Sequence, residues 1–540
     1  MQRWPFLLFL SLLAALLTLP VVSLGLSWLQ WNESVAQVLG EMAQTVLPQY
    51  AFTSLVLCVA VAFGVALVGL GTACAVTLFE FPGRRVMEWA LLLPLAMPAY
   101  VVAYAYTDFL QFSGPLQVGL RETFGWKGRV FPEVRNTAGA AWVFTFSLYP
   151  YVYLLARTAL SERASQLMEA ARLLGAPLSR RIREVALPLA RPAVAAGVAL
   201  ALMETLADFG VASYFGIQTF TAGIYKAWLS MDNRLAAAQL ATVLLAVVAV
   251  LLRLEHGAQR RMRFAVVKGG RTAGAEAQPV VLHRGQALMA WLVCVLPIVL
   301  GFVLPVLFML RPLVGGWDEL NLSPFWGWAG NSLWLATISA GLAVAVALVL
   351  AYAVRVETGW GWAARFSRGV SQLAALGYAV PGAVIVVGLL LPVGWAQAVA
   401  PDTSVGYWIT GTALGIVWAY LVRFVAVALQ SVQSGYARMP VSLDESARML
   451  GTTGLGLAWR VHAPLLRRST AAAALLVFVD VMKELPATLV LRPFNSDTLA
   501  VMTYQLARDE RLGEAALPAL ALVLVGLVPV IMLSRTLRSR

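Results

Sequence analysis

The feature that most constrains this chain is a series of long apolar runs that recur along its 540 residues. Hydrophobic residues make up 60% of the chain, and only 12% of the residues are charged. A run of about 20 apolar residues is the length that crosses a bilayer as a helix. Barrel strands would be shorter and would alternate polar with apolar residues, which these runs do not. The sequence therefore predicts an all-α integral membrane protein.

About twelve runs are long enough to span a membrane, six on each side of the middle of the chain. If the N-terminus is cytoplasmic, the inner segments carry well over twice as many Lys and Arg residues as the outer loops. Cytoplasmic loops are the ones enriched in basic residues, so both termini are predicted to be cytoplasmic. The spans are predicted near 6–29, 52–78, 87–107, 139–160, 192–214, 235–253, 287–310, 330–354, 371–394, 406–429, 469–491 and 513–534.

The segment between the two sets of spans is basic, contains glycine and is nearly free of acidic residues. Such a composition is typical of a cytoplasmic linker. The predicted division is a first transmembrane half at 1–253, a linker at 254–286 and a second transmembrane half at 287–540.

Each half interrupts its apolar runs with a similar polar insert. The first, "EAARLLGAPLSRRIREVALPLARP", begins at Glu169, and the second, "ESARMLGTTGLGLAWRVHAPLLRR", begins at Glu445. We call the separation of these two glutamates along the chain the repeat offset. Each insert contains two amphipathic pieces separated by a glycine, Gly175 or Gly451, which favours a helix–turn–helix at the cytoplasmic face. Two parallel copies imply a pseudo-two-fold axis along the membrane normal, with a central pathway between the halves.

One interpretation of the inserts is a pair of surface helices on anionic membrane lipid. Because the two copies share one internal spacing, a docking element for a two-fold partner is favoured instead. The inserts resemble the EAA loop of ABC importer permeases, with valine in place of isoleucine in both copies. The matching residues are Glu169, Ala170, Ala171, Gly175, Val185, Leu187 and Pro188, and Glu445, Ser446, Ala447, Gly451, Val461, Ala463 and Pro464.

This resemblance implies the type I ABC importer fold, with two homologous six-helix halves. It also implies that the inserts couple the chain to two copies of an ABC ATPase subunit, which would bind ATP and Mg. The chain itself has no Walker A loop, because none of its four lysines follows a glycine. No cofactor, firm metal site, catalytic residue or nucleic-acid partner is predicted for it.

After each insert the chain enters an apolar span that contains carboxylates. Glu204 and Asp208 lie in the first such span, and Asp480 and Glu484 occupy the positions one repeat offset later. Carboxylates four residues apart share one helical face, and charges within a span usually face a cavity. The four acids are predicted to line the translocation pathway, as transient ligands for a hard cation. The alternative is structural, with the acids pairing with Lys483 or capping helices that break near Gly210 and Pro486.

Residues 204–228 and 480–500 resemble the fused, two-half permeases of ferric-iron importers in bacterial inner membranes. That resemblance implies a periplasmic ferric-binding protein as a further partner. Two alternatives stay open. The same mechanism could carry thiamine, a polyamine or another small solute, or the chain could be a secondary transporter driven by an ion gradient, which would need no paired docking inserts.

Overall fold

The computed structural model describes residues 3–161, 165–267, 280–315, 322–356 and 361–538, and most of these residues are helical. Up to Val267 the helices are α1 (Arg3–Leu26), α2 (Glu33–Thr45), α3 (Leu47–Leu78), α4 (Arg84–Ala90), α5 (Ala99–Leu110), α6 (Pro115–Phe124), α7 (Thr137–Ala159), α8 (Ser165–Leu173), α9 (Leu178–Arg181), α10 (Leu187–Ala207), α11 (Gly210–Phe215), α12 (Phe220–Tyr225) and α13 (Arg234–Val267). Beyond it they are α14 (Arg284–Ile298), α15 (Leu304–Gly315), α16 (Leu322–Val356), α17 (Trp362–Ala375), α18 (Gly382–Val399), α19 (Val405–Thr410), α20 (Ala413–Tyr436), α21 (Val441–Met449), α22 (Leu455–Leu457), α23 (Ala463–Lys483), α24 (Pro486–Leu491), α25 (Leu499–Arg508) and α26 (Leu512–Arg538). Two short segments, β1 (Phe79–Glu80) and β2 (Val280–Val281), pair in parallel. The predicted all-α class is confirmed.

Ten helical segments among the described residues are long and apolar enough to cross a membrane, or eleven if one bent pair forms a single span. The bent pair, Arg84–Ala96 and Ala99–Phe124, turns by 89° in the region where one span was predicted near 87–107. Pro98 lies at this turn and has no N–H to continue a helix. The span predicted near 469–491 corresponds to α23, which is not one of these ten segments. α23 carries Asp480 and Lys483 together with two arginines near its start.

The predicted span near 371–394 is divided between two elements. α17 ends at Ala375, and α18 begins after Pro381; Val380, the residue before this proline, adopts an extended conformation. The residue before a proline is pushed away from helical backbone angles, which explains the later start of this span. The predicted linker also differs from expectation, because α13 continues through Val267 and the first part of the linker is therefore helical. Residues 268–279 of that linker lie outside the described residues.

The local structure repeats with the same offset as the sequence. α8 and α21 begin and end one repeat offset apart, as do α10 and α23, and α11 and α24. Between the first two pairs, each insert contains a π-helical turn, at Ile182–Ala186 and Ala458–His462, and these turns have the same separation. The two inserts and the helices that follow them are therefore two copies of one supersecondary unit.

The described helices form two compact units that do not coincide with contiguous halves of the chain. The first unit comprises Met1–Glu41, Ile224–Leu245 and Asn321–Met502. The second comprises Met42–Gly223, Ala246–Leu320 and Thr503–Arg540. Each unit therefore includes the first span of the opposite sequence half.

In the first unit α16, α20 and α23 pack side by side, and α1 lies along α18. The Ser23 hydroxyl donates a hydrogen bond to the Gly388 carbonyl. A Cβ at Gly388 would collide with the Pro20 carbonyl, so only glycine permits this approach of the two backbones. The Trp418 indole N–H donates to the Leu16 carbonyl at 2.8 Å, which fixes α1 against α20 as well.

In the second unit α3 packs along α7 and α10. A Cβ added at Gly69 or Gly197 would come within 2.6 Å of Val152, so small residues set these helix spacings. α15 packs against α5 and α26, and the Tyr106 hydroxyl donates to the Leu300 carbonyl at 2.6 Å. α5, α11 and α26 therefore belong to the same packed unit as the first insert.

Candidate functional site

Both inserts adopt the predicted helix–turn–helix. α8 and α21 each end at a glycine with a positive φ, 79° at Gly175 and 78° at Gly451. An L-residue with a side chain is strained in this conformation, and glycine is not, which explains the glycine at both helix ends. A short helix and the π-helical turn then lead into α10 or α23 without a break.

The end of each insert helix exposes two adjacent apolar side chains. In the first insert they are Leu173 and Leu174, which are 82% and 87% exposed. In the second insert the equivalent residues, Met449 and Leu450, are 89% and 85% exposed. We call these two pairs the insert tips. Because each tip leaves two large apolar side chains uncovered beside a sharp turn, each is suited to enter an apolar groove on a partner.

The EAA residues divide between the two faces of the insert helices. Glu445 and Ala170 are exposed, whereas Ala447 is buried against its own unit. Glu169 is half-exposed and lies 3.7 Å from the Arg172 guanidinium. The remaining members follow the same pattern, with Ala171 half-buried and both turn glycines, Gly175 and Gly451, exposed.

The second insert is held to its unit by a buried polar network centred on Asp444. The Arg355 Nε donates to Asp444 Oδ2 at 2.8 Å, and the same guanidinium donates to the Pro440 carbonyl at 3.0 Å. The His462 Nε2 lies 3.1 Å from Asp444 Oδ1, and its Nδ1 lies 3.1 Å from the Tyr436 hydroxyl. α21 is thereby connected to the end of α16 and the start of α23.

Burial of Asp444 acts to raise the pKa of its carboxyl, because it disfavours the charged form. The hydrogen bonds from Arg355 and His462 oppose that effect, and the net pKa is lowered. Asp444 is therefore a carboxylate at neutral pH, and Arg355 stabilises that charge.

The first insert has no such network at the equivalent positions. The residue one repeat offset before Asp444 is Met168, and the residue equivalent to His462 is Ala186. Both are buried, so apolar packing takes the place of the polar network. The two inserts therefore have the same outer shape but are attached to their units by different chemistry.

Two of the four predicted pathway acids lie where the helices break. α23 ends at Lys483, and the Glu484 side chain caps α24 by accepting from the backbone N–H of Ala487 and Thr488 at 2.9 and 3.0 Å. It also accepts from the Thr488 hydroxyl at 2.6 Å and lies 3.3 Å from the Arg423 guanidinium. Glu484 is thus buried, but its charge is fully hydrogen-bonded.

Asp208 occupies the equivalent break between α10 and α11. Its Oδ1 accepts from the Val211 backbone N–H at 2.8 Å, so it caps α11 as Glu484 caps α24. Glu204 and Asp480, one helical turn earlier, are both half-buried. The capping alternative is therefore present for Asp208 and Glu484, and a pathway role for all four acids stays a prediction.

The four acids are divided between the two units, Glu204 and Asp208 in the second and Asp480 and Glu484 in the first. Within the described residues no group of three or more His, Cys, Asp and Glu side chains is placed to hold a metal ion. The acids are thus not gathered into a metal site inside either unit.

Sequence reasoning missed the partners of the buried charges. Arg355 lies 89 residues from Asp444, and Arg423 lies 61 residues from Glu484. Neither arginine stands in a repeat or motif that points to its partner. The useful signal was only that each lies within or at the end of an apolar helix, where a charge needs a partner.

Comparison with known proteins places these features in a family. A model of the "Binding-protein-dependent transport system inner membrane component" family matches residues 66–264. The chain is 25% identical over 474 residues to the Fe(3+)-transport system permease protein FbpB 2 of Haemophilus influenzae, covering 87% of this chain and 86% of the relative. It is 23% identical over 514 residues to the probable ABC transporter permease protein y4fN of Sinorhizobium fredii, with coverages of 88% and 84%.

A shorter relative matches part of the chain at higher identity. The sulfate transport system permease protein CysT of Salmonella typhimurium is 30% identical over 209 residues, which are 38% of this chain and 70% of the relative. Together with the multiple apolar helices and the paired inserts, these matches identify a multi-pass inner-membrane transport component. The chain belongs to the family of binding-protein-dependent transport system inner membrane components, the permeases of ABC importers.

Proposed function

We propose that this chain is the permease subunit of an ATP-driven importer of ferric iron. A periplasmic binding protein delivers the iron, and two ABC ATPase subunits, which bind ATP and Mg, dock on the two inserts. Both termini then lie in the cytoplasm, on the same side as the ATPases, and the apolar helices contact membrane lipid.

The observation that carries the coupling role is the pair of insert tips. They occupy equivalent positions of the repeat, share one backbone geometry and leave two large apolar side chains exposed in each copy. A partner that forms a symmetric dimer needs two matching docking elements, and a single chain here supplies both. An ion-gradient carrier has no use for such a pair.

Ferric iron is supported by a relative that matches across both halves of the chain. The Haemophilus protein is described as a Fe(3+)-transport permease, and it aligns with 87% of this chain. Thiamine and polyamines are not named by any of the relatives described above.

A second candidate cargo is an oxyanion such as sulfate. The Salmonella sulfate permease is 30% identical, although its match covers only 38% of this chain. The coupling mechanism would be the same, and only the ion that crosses the membrane would differ.

In the proposed cycle, binding of ATP closes the ATPase dimer and moves both insert helices. α10 and α23 continue directly from the inserts, so movement of an insert reaches the helix breaks at Asp208 and Glu484. The central pathway then opens outward to receive the ion, and hydrolysis restores the inward-facing state.

The test is uptake into vesicles that contain the full chain, its ATPase and its binding protein, with ATP inside. Ferric and sulfate uptake are measured for the wild type, for Glu169→Ala/Glu445→Ala and for Leu174→Asp/Leu450→Asp. The matched control is Glu184→Ala, because Glu184 is exposed in the first insert but is not an EAA residue.

We expect ATP-dependent ferric uptake that both double variants abolish and Glu184→Ala retains. Uptake of sulfate but not of iron would support the importer function and would replace ferric iron with sulfate as the cargo. Iron uptake that depends on neither ATP nor the insert tips would contradict the coupling role.

A further inference from the structure

The short helical segment that follows the glycine turn differs in surface chemistry between the two inserts. In the first insert it comprises α9 and the π-helical turn at Ile182–Ala186, and in the second it comprises α22 and the turn at Ala458–His462. We call each of these segments the second arm of its insert. Each arm leads directly into its span, α10 or α23, and the two arms have the same order of elements. The difference between them therefore lies in their side chains.

The second arm of the second insert exposes two large apolar side chains. Leu455 is 63% exposed, and Trp459 is 74% exposed. They are four residues apart, so they share one face of the arm. Together with Met449 and Leu450 of the insert tip, they concentrate four large exposed apolar side chains in one short stretch of chain. Such a concentration is typical of a surface that a protein partner covers.

The second arm of the first insert is polar at the same positions. The residues one repeat offset before the exposed leucine and tryptophan are Ser179 and Arg183, and both are exposed. The neighbouring Arg180 is also exposed and pairs with Glu184 at 2.9 Å. The first insert therefore presents an apolar tip beside a polar arm, whereas in the second insert the apolar surface continues from the tip onto the arm.

The polar first arm indicates that this face of the arms does not lie among lipid chains. Arg183 precedes the start of α10 by four residues, and Trp459 precedes the start of α23 by the same number. Equivalent positions before equivalent spans have the same depth, and an exposed arginine is costly in the hydrocarbon region. The apolar face of the second arm in the second insert therefore lies outside the hydrocarbon, where a docked protein can bury it.

We propose that the two inserts bind their ATPase subunits unequally, and that the second insert is the tighter docking site because Leu455 and Trp459 extend the apolar contact of its tip. This inference rests on the proposed function and deepens it by assigning different surfaces to the two docking steps. Tryptophan is among the residues that carry most of the binding energy in interfaces. An exposed arginine contributes less, because its attraction to a partner is weakened by water and screened by salt.

The internal bonding of the second insert supports the same order of affinity. The His462 Nε2 lies 3.1 Å from Asp444 Oδ1, which connects the end of the second arm to α21. Both side chains are buried, so the arm and the tip helix are held together before a partner arrives. A surface that already has its binding geometry loses less conformational entropy on docking. The equivalent residues of the first insert, Met168 and Ala186, cannot form such a hydrogen bond.

The test titrates the purified ATPase subunit onto the full-length permease in lipid nanodiscs and counts the bound subunits by native mass spectrometry. Nucleotide is omitted, so that ATP does not join the two ATPase subunits to each other. Two single-insert permeases separate the sites, because Leu174→Asp leaves only the second insert and Leu450→Asp leaves only the first. Both replaced side chains are exposed, so a carboxylate at either position leaves the fold of the permease intact.

We expect the Leu174→Asp permease to bind the ATPase at least about tenfold more tightly than the Leu450→Asp permease does. Adding Trp459→Ala to Leu174→Asp should weaken binding by about tenfold or more. The matched control is Trp362→Ala in the same background, because Trp362 is an exposed tryptophan of the same unit outside the insert. Adding Arg183→Trp to Leu450→Asp should strengthen binding, since it gives the first insert the side chain of the second.

Equal affinity of the two single-insert permeases, or tighter binding by the Leu450→Asp permease, would overturn the unequal docking and leave the proposed function standing. An affinity that Trp459→Ala leaves unchanged would place this tryptophan against lipid and overturn the surface assigned to the second insert. If the wild-type permease binds no ATPase subunit at all, both the proposed function and this inference fail.

Discussion

Arg355 is the residue on which attachment of the second insert most depends. Replacing it with alanine leaves Asp444 as a buried carboxylate that has lost its cation and strongest donor. Removing one partner of a buried ion pair costs about 3–5 kcal/mol, because the remaining charge stays buried and uncompensated. We expect Arg355→Ala to lower the thermal unfolding midpoint of the purified permease clearly.

The control is Arg448→Ala, which removes an exposed arginine from α21 itself. The double variant Arg355→Ala/Asp444→Ala should be more stable than Arg355→Ala alone, because no orphan charge remains. If the destabilisation of the double variant relative to the wild type equals the sum of the effects of Arg355→Ala and Asp444→Ala, the two residues act independently, and the network is not the cause.

The lowered pKa of Asp444 predicts how the stability of the permease depends on pH. Its pKa is lowered in the folded protein, so its stabilising effect is complete above the ordinary value of 3.8 and is lost as the pH falls below it. The difference in unfolding midpoint between the wild type and Asp444→Asn should therefore be constant from neutral to mildly acidic pH and shrink only below that value. A difference that already shrinks well above the ordinary value of 3.8 would show that Asp444 is not the group whose titration causes the loss.

At the scale of the element, the two helix breaks share a geometry but differ in the interactions that stabilise them. Glu484 caps α24 through two backbone N–H groups and pairs with Arg423, whereas Asp208 caps α11 through one N–H. Loss of a helix cap costs about 1 kcal/mol, and breaking a buried ion pair from one side costs about 3–5 kcal/mol. We expect Glu484→Ala to destabilise the permease more than Asp208→Ala does, as measured by thermal unfolding.

Glu484→Gln is the matched variant, since it keeps the acceptor oxygen and the size of the side chain but removes the charge. Its thermal unfolding midpoint should lie between those of the wild type and Glu484→Ala. Equal loss at Asp208 and Glu484 would show that Arg423 finds another partner when Glu484 is removed.

The repeated elements were predictable because their signals are local. The constant repeat offset, the glycines that end α8 and α21, and the helix breaks before Gly210 and Pro486 are all visible in short stretches of sequence. What the sequence could not supply is contact between distant segments. The pairing of Arg355 with Asp444 joins two helices that neither the repeat nor hydropathy relates.

The same limit explains what hydropathy missed on α5. Tyr100, Tyr104 and Asp108 are regularly spaced on α5, but an aromatic stripe at helical spacing usually indicates core packing. Only the arrangement around α5 shows that, among the described residues, the Tyr104 hydroxyl and an Asp108 oxygen are buried without a hydrogen-bond partner. The carboxylates of α10 and α23 drew attention because they interrupt apolar runs, whereas tyrosine does not.

At the scale of the whole molecule, the first span of each sequence half packs in the unit built mainly from the other half. α1 packs in the unit built mainly from the second half, while α14 and α15 pack in the unit built mainly from the first half. Each unit therefore contains one insert and helices from both halves of the sequence. Since neither half contains its own complete set of packing partners, we infer that the fused chain folds and works as one subunit.

A single chain with two insert tips predicts the composition of the transporter. Under the proposed function one permease chain should bind two ATPase subunits, because exposed apolar pairs, Leu173–Leu174 and Met449–Leu450, lie at the equivalent positions of both inserts. The mass of the purified complex, measured by native mass spectrometry, should correspond to one permease and two ATPases.

Leu174→Asp should yield complexes with one ATPase, since a charge placed in an apolar groove opposes docking at that insert alone. Leu167→Asp is the control, because Leu167 is exposed on the same helix but lies outside the tip. A wild-type complex of two permease chains with two ATPases would mean that only one tip of each chain is used, and the symmetry of the two inserts would then need another explanation.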